Sequence, residues 1–353
     1  MQQNLLDLLR CPVTKTKLRV QLINVFKKKY GDIEIEEIKE ALLFSETGLI
    51  FPVINGIPRM LVEAADDYAD FIRQYSMSDT ISIKTPEKNI LSLVEACRKK
   101  NAKTKKSFAF EWSFLNSQKN DRLWHDNLSN LPVVFRNETG EELSFFNQKK
   151  ILDLGSGHGL MTSAIADRSE FTVGVELSNA VEAAYLQNQQ PKAWFVQADL
   201  QYLPFEEKLF DILYSSGVIH HTNSTEQSLN LIEPFVKHGG NICLWLYHPQ
   251  KNMGHNFILF LRKFTRKLPL KVLFVLLVIF VFPVTWLYKR IKNRNPPNWR
   301  EEMIDLLDSF SPEFREEIKH ETAVQWLTGL NYSNIKITTT NQFGFSFTGK
   351  KNK

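Results

Sequence analysis

From Lys150 onward the chain alternates short, β-rich apolar runs with helix-spaced ones. The runs KILDLG, FTVGVE, AWFVQAD, FDILYSS and NICLWLY are separated by LMTSAIADR, NAVEAAYLQNQ and STEQSLNLIEPFVKH. Strands alternating with helices predict a parallel sheet with helices on both faces. Further on, ETAVQWLTGL predicts a helix, and NIKITTT and FGFSFTG predict a closing hairpin. The N-terminal part follows another pattern. NLLDLLRCP predicts a short helix ending at Pro12, and KLRVQLI and GLIFPVINGIPRML predict strands and turns, with a tight turn at Asn55-Gly56. From Glu63 to about Lys106 the chain is charged, predicting linker and helices with little core, among them NILSLVEACRKK. KKSFAFEWSFLN then supplies a dense aromatic cluster, and Asp121 to Asn147 is mixed. The expected units are residues 1–65, a small β-rich domain; 66–145, linker and helices with the aromatic cluster; 146–250, the α/β core; 251–300, a helical insertion; and 301–353, the closing helix and strands.

Composition narrows this picture. Hydrophobic residues make up 43% and charged residues 24% of 353, as in folded globular chains, so global disorder is excluded. A mean hydropathy of -0.25 excludes a polytopic membrane protein. The net charge of +5 is unevenly distributed. Residues 251–300 hold eleven Lys/Arg and no Asp or Glu, so +11 there leaves −6 for the remainder. A uniformly basic nucleic-acid binder is not patterned this way. Cys11, Cys97 and Cys243 are far apart, without CxxC or metal-ligand spacing, and point to a reducing cytoplasm. MQQNLLDLLRCP lacks a basic n-region and does not read as a signal peptide.

The chemistry centres on Ile151-Leu-Asp-Leu-Gly155-Ser-Gly157-His-Gly159, which ends a strand and opens a helix. Glycines there admit a close ligand, and a helix N-terminus favours negative charge. Asp153 sits at the strand end. The spacing is GxGxG, not the GxGxxG of dinucleotide dehydrogenases. Glu176 closes the next strand 21 residues after Gly155, where a carboxylate can accept both ribose hydroxyls. Asp199 closes the third, 23 residues on, where it can accept from an adenine amino group while the Leu200 N–H donates to the ring.

From Lys150 to Tyr247 this order of strand-end residues, continuing into FDILYSSGVIHHT, resembles the class I S-adenosylmethionine (SAM)-dependent methyltransferases. The resemblance implies an α/β, Rossmann-like sheet of seven strands in the order 3-2-1-4-5-7-6, the last antiparallel. It implies SAM as methyl donor. The methionine moiety would lie over Gly155, Gly157 and Gly159, the ribose on Glu176 and the adenine on Asp199 and Leu200. Ser215 to His220 would face the transferring methyl. Methyl transfer is an in-line displacement governed by orientation. An oxygen or nitrogen acceptor can also need a base, for which His220 and His221 are candidates, His220 first; the alternative is that they cap the turn or line the cofactor. Phe108, Phe110, Trp112 and Phe114 are expected either to cover cofactor or substrate or to pack on the sheet, with Glu111 and Asp121 as lesser candidates.

Residues 4–65 resemble the small zinc-ribbon-like family that activates methyltransferases, through CPVTKTKL and FPVINGIPRML. Zinc-binding members carry four cysteines. Here Cys11 stands alone and Thr14 occupies its partner's place, so the expectation is a zinc-less form with no metal. Fused in cis, this domain would require no separate partner.

The insertion holds the apolar run Val272 to Tyr288, 17 residues broken by Pro283. As helix it spans about 25 Å, less than a ~30 Å hydrocarbon core. Lys263, Arg266, Lys267 and Lys271 precede it; Lys289, Arg290, Lys292 and Arg294 follow. Strands expected within Asn334 to Gly349 must rejoin the sheet, so a single crossing is disfavoured. The expectation is peripheral membrane contact through 263–294, against the alternatives of an internal lid or a span. The functional expectation is SAM-dependent methyl transfer to a small or lipid-linked acceptor. The enzyme would be cytoplasmic, peripheral on the inner face of the cytoplasmic membrane, with nucleic acid disfavoured as a partner. The alternatives are an RNA methyltransferase and a non-catalytic SAM-fold scaffold.

Overall fold

The computed structural model describes residues 1–76, 84–114, 128–250, 252–292 and 297–353. Asp121 and Arg294 lie outside the described residues.

The N-terminal sheet is antiparallel, in the order β1 (Arg19–Tyr30), β2 (Ile33–Phe44), β3 (Ile50–Ile54), β4 (Ile57–Pro58). The helix Gln3–Leu8 packs Leu5 into its core. β2 went unanticipated because its first half, IEIEEI, is charged and largely solvated; it turns inward only from Glu37. The hairpin with β1 turns at Gly31, whose φ of +59° suits glycine.

The large sheet is built from β5 (Lys150–Leu154), β6 (Phe171–Glu176), β7 (Ala193–Gln197), β8 (Phe210–Ser216), β9 (Val236–Tyr247), β10 (Tyr332–Thr340) and β11 (Gly344–Lys351). Its order is β10-β11-β9-β8-β5-β6-β7. Counted from β5, this is the expected 3-2-1-4-5-7-6. β5 to β9 run parallel, and β11 is antiparallel to both its neighbours. β5, β6 and β7 are buried on both faces apart from Lys150, and so read as continuous apolar runs.

The two sheets meet at β7. The Met60 N–H donates to the Gln197 carbonyl (2.7 Å). The buried Arg59 guanidinium donates to Gln197 Oε1 (3.2 Å) and Glu182 Oε1 (2.9 Å). Tyr185, beside β7, donates its hydroxyl to Glu37 of β2 (2.5 Å).

Two expectations need correction. The charged stretch after Glu63 is not chiefly linker: Lys88–Trp112 is one helix of 25 residues. It buries Val94, Cys97, Asn101, Ser107 and Glu111, spaced at helical intervals, but three of the five are polar. A stripe completed by polar groups carries little apolar periodicity. Asn101 donates to Glu63 (3.0 Å), and Ser107 meets Ser311 (2.5 Å). Nor does Pro283 break the insertion. A π-helical turn over Leu277–Val281 precedes it, and Leu270–Lys292 runs as one helix of 23 residues. Proline lacks an N–H, and its ring presses on the carbonyl four residues earlier; a widened turn relieves both. The helix is therefore about 34 Å long. Leu273 and Leu277 pack on Met303, Leu306, Leu307 and Phe310 of helix Trp299–Phe310.

Candidate active site

A cavity of about 1010 Å³ opens at the carboxyl ends of the parallel strands. Ligands of open α/β sheets bind at that edge. The expected site residues Gly155, Glu176, Asp199, Leu200 and His221 line it.

The glycine loop has the backbone its composition implies. Gly155, Gly157 and Gly159 have φ of +74°, +53° and +68°. A Cβ on Gly157 would lie 2.5 Å from Trp112 Cζ2, so the long helix rests its indole directly on the loop. Beneath it, buried Asp153 accepts from the Thr162 hydroxyl (2.5 Å) and borders only a recess of about 20 Å³. Burial pushes Asp153 up to about 7.

Glu176 is buried at the end of β6, where it accepts from the N–H groups of Gly157 (3.0 Å) and Ser178 (2.8 Å). Burial raises its pKa in spite of these donors. Asp199 accepts from the Gln201 N–H (2.9 Å) and from Lys100 Nζ (2.6 Å) on the long helix.

Ser215 and His220 are placed away from the cavity. Ser215 is fully buried and donates to the Leu154 carbonyl (3.2 Å); the next residue, Ser216, lines the cavity. His220 is 0% exposed, packed against Trp245 and Tyr247, with no hydrogen-bond partner on either ring nitrogen. Burial, then His221, lowers its pKa well below the usual histidine range. Neutral and walled off, His220 is not positioned as a base. The reason is local: the 3-10 turn Ile219–His221 points its adjacent side chains in different directions.

His221 is the one that lines the cavity. Its Nδ1 lies 3.0 Å from the Phe314 carbonyl and its Nε2 3.2 Å from Asp308 Oδ1. Burial alone would raise the pKa of Asp308, but His221, the Tyr247 hydroxyl and Arg315 together hold it below the usual carboxylate range. Asp308 carried a signal that the sequence reading passed over, since Glu301, Asp305 and Asp308 recur at helical spacing. Glu138 is a second unanticipated residue; it accepts from Tyr214 (2.6 Å) and Ser216 (3.2 Å), and burial pushes it up to about 7.

The aromatic cluster divides by helical phase. Phe108 and Trp112 face the cavity, whereas Phe110 and Phe114 pack on Phe274 of the apolar helix. Among the described residues no group of three or more His, Cys, Asp and Glu is placed to hold a metal ion.

Residues 152–244 match the family model described as "Methyltransferase domain". The tRNA U34 carboxymethyltransferase of Hydrogenovibrio crunogenus is 26% identical over 110 residues, which are 29% of this chain and 33% of that protein. The chain thus spans about a third of the length of this curated relative. Among solved structures, human N-acetylserotonin methyltransferase in complex with SAM is 16% identical, with a TM-score of 0.39, covering 64% of this chain and 55% of that one. A SAM-dependent methyltransferase from Mesorhizobium loti is 14% identical, with a TM-score of 0.38, covering 58% and 92%. The family match falls on the strands that carry the glycine loop, Glu176 and Asp199, and the sheet has the strand order which the resemblance implied. Residues 152–244 are thus a methyltransferase domain by family match, set in a sheet of the order that the resemblance implied.

Proposed function

We propose that the enzyme methylates a small or lipid-linked acceptor at the cytoplasmic face of the membrane. One observation carries this reading. The apolar helix turns Thr285 and Lys289 into the catalytic cavity while Phe280, Val284 and Ile291 on other faces are 67%, 69% and 79% exposed. A single element thus joins the reaction cavity to an apolar outer surface with basic residues at both ends. An amphipathic helix of this kind lies in a bilayer interface, its cations on anionic headgroups. Its length alone would permit a crossing. However, helix Trp299–Phe310 packs back against it, and β10 and β11 close the sheet that β5 began, which favours a helix lying on the surface.

In this reading the glycine loop holds the methionine moiety, with Asp153 buttressing the loop from below. Glu176 receives the ribose hydroxyls. Asp199 and the Leu200 N–H hold the adenine, with Lys100 fixing the carboxylate. The residues fit such a ligand: Gly155, Glu176, Asp199 and Leu200 line one cavity, and Glu176 presents a buried carboxylate to it. SAM supplies an activated methyl group, and the chain orients the two partners. His221, held between Asp308 and the Phe314 carbonyl, braces the wall of the acceptor space. The N-terminal sheet, a zinc-less activator-like unit docked in cis on β7, steadies the strand leading to Asp199.

Flotation with vesicles containing anionic lipid tests the membrane reading. The wild-type chain is expected to float, and a Phe280→Asp, Val284→Asp double variant to remain at the bottom. A wild type that never floats makes the insertion an internal lid. Labelled methyl groups from methionine, traced in cells with and without the enzyme, should disappear from the lipid or small-molecule fraction. The similarity to a tRNA-modifying enzyme makes loss from the RNA fraction the competing outcome.

A further inference from the structure

Glu111 is 5% exposed and lines the cavity from the long helix. Its acidic neighbours on the cavity wall each lie beside a cation or a hydroxyl, although neither Glu302 oxygen makes a hydrogen bond. Lys289 serves Glu302 (2.7 Å) and Asp305 (2.9 Å), and Asp308 has His221 and Tyr247. Glu111 Oε2 has no hydrogen-bond partner. Neither protonation state of this carboxyl is satisfied by the protein. An ionised carboxylate lacks a cation, and a protonated one lacks an acceptor for its hydroxyl. Burial, followed by Asp308, Asp305 and Glu176, pushes it well above the usual carboxylate range. A group so placed is relieved by a ligand cation that donates hydrogen bonds.

Its location says which cation. Glu111 adjoins Trp112, whose indole lies on Gly157, and stands one turn after Phe108, whose ring is 5.7 Å from His221. The carboxyl is therefore carried between the glycine loop and His221, where an acceptor must approach the methyl group. The aromatic rings around it also favour a positive charge.

We propose that the methyl acceptor is an amine and that Glu111 receives its nitrogen, a proposal that rests on the donor-site reading above. The ammonium loses one proton to water as it enters, and its remaining N–H groups donate to Glu111, which leaves the nitrogen lone pair free. The nitrogen attacks the methyl carbon of SAM; the new C–N bond forms as the C–S bond breaks, its electron pair returning to sulfur. The positive charge of the sulfonium ends on the methylated nitrogen, beside the Glu111 carboxylate. A fixed anion placed where charge arrives lowers the barrier.

The test uses the full chain and two probes. S-adenosylhomocysteine occupies the donor site without a methyl group. Sinefungin carries an amine at the position of the methyl. By calorimetry, sinefungin should bind wild-type protein on the order of tenfold more tightly than S-adenosylhomocysteine. Glu111→Gln should remove that advantage while leaving S-adenosylhomocysteine within about twofold of wild type. Equal losses for both probes would assign Glu111 to the methionine ammonium of the donor and overturn the proposal, as would no loss for either. A measurement on wild type alone covers the case of a variant that does not fold. Titrations near pH 7 in buffers of different ionisation enthalpy should show about one more proton released with sinefungin than with S-adenosylhomocysteine, because the carboxyl ionises against the amine. Equal proton counts would overturn it. Failure of S-adenosylhomocysteine itself to bind would instead sink the donor-site reading, and the proposal with it.

Discussion

His221 Nε2 lies 3.2 Å from Asp308 Oδ1, and the hydroxyl of Tyr247 donates to the same carboxylate. The three residues come from a turn after β8, from helix Trp299–Phe310 and from the end of β9. Nδ1 of the same ring faces the Phe314 carbonyl (3.0 Å), so both nitrogens are engaged and the imidazole braces the cavity wall instead of receiving a proton. His221→Ala and Asp308→Asn are each expected to lower melting temperature while methyl-transfer turnover stays within about tenfold of wild type. His220→Ala, away from the cavity, should likewise affect melting temperature more than turnover. A loss of about a hundredfold or more in both His221→Ala and Asp308→Asn, at unchanged S-adenosylhomocysteine affinity, would show instead that the ring acts as a base.

Trp112 on Gly157 gives a second prediction. Gly157→Ala forces a side chain into the left-handed region and against the indole. The backbone alone costs about 1–2 kcal/mol. Cofactor affinity and melting temperature should both fall. Adding Trp112→Leu should recover part of the stability but not the backbone cost. A Gly157→Ala protein that binds S-adenosylhomocysteine like wild type would contradict the tight seating of the loop.

The clamp between the sheets can be tested at Arg59. Removing its guanidinium leaves Gln197 and Glu182 without their shared donor. Arg59→Ala is expected to lower stability by about 2 kcal/mol in urea unfolding. It should also weaken S-adenosylhomocysteine binding, since Asp199 follows Gln197 by two residues. A change in unfolding free energy below about 0.5 kcal/mol would make the contact incidental.

Asp153 predicts a direction for pH. Its pKa rises from 3.8 to about 7 on burial. An acid with a raised folded-state pKa favours folding most fully below its unfolded pKa, and that contribution is lost as pH rises through the folded value. Between about pH 4 and 7 the Asp153 contribution should therefore decline, with Glu138 acting in the same sense. Asp153→Asn should flatten the fall in melting temperature across this window. A slope identical to wild type would mean that the carboxyl titrates normally.

Much of the fold was legible in the strands themselves. β5, β6 and β7 are apolar runs with glycine or acid at or just beyond their ends, because a parallel sheet covered on both faces leaves no polar side to disguise its strands. β2 and the long helix were obscured for the opposite reason. β2 begins in solvent, with charges alternating along it, and the helix buries Asn101, Ser107 and Glu111 among its apolar residues. Their partners are distant in sequence, so nothing local announces them. The apolar helix was misjudged at Pro283 because the compensating π turn is a property of backbone geometry, not of composition.

By itself the chain's order of residues determined the alternation of strands and helices, the glycine loop and the placing of Glu176 and Asp199 at successive strand ends; the strand order came from the resemblance that those residues carry. The strand ends follow from where an apolar run stops, which local chemistry dictates. The tertiary structure decided what faces the cavity. It buried Ser215 and His220, presented His221 to Asp308 87 residues away, and brought Glu111 and Lys289 from separate helices to one wall. Whether a side chain lies in a core or a cleft depends on the elements packed against it, and those elements lie outside its own stretch of sequence.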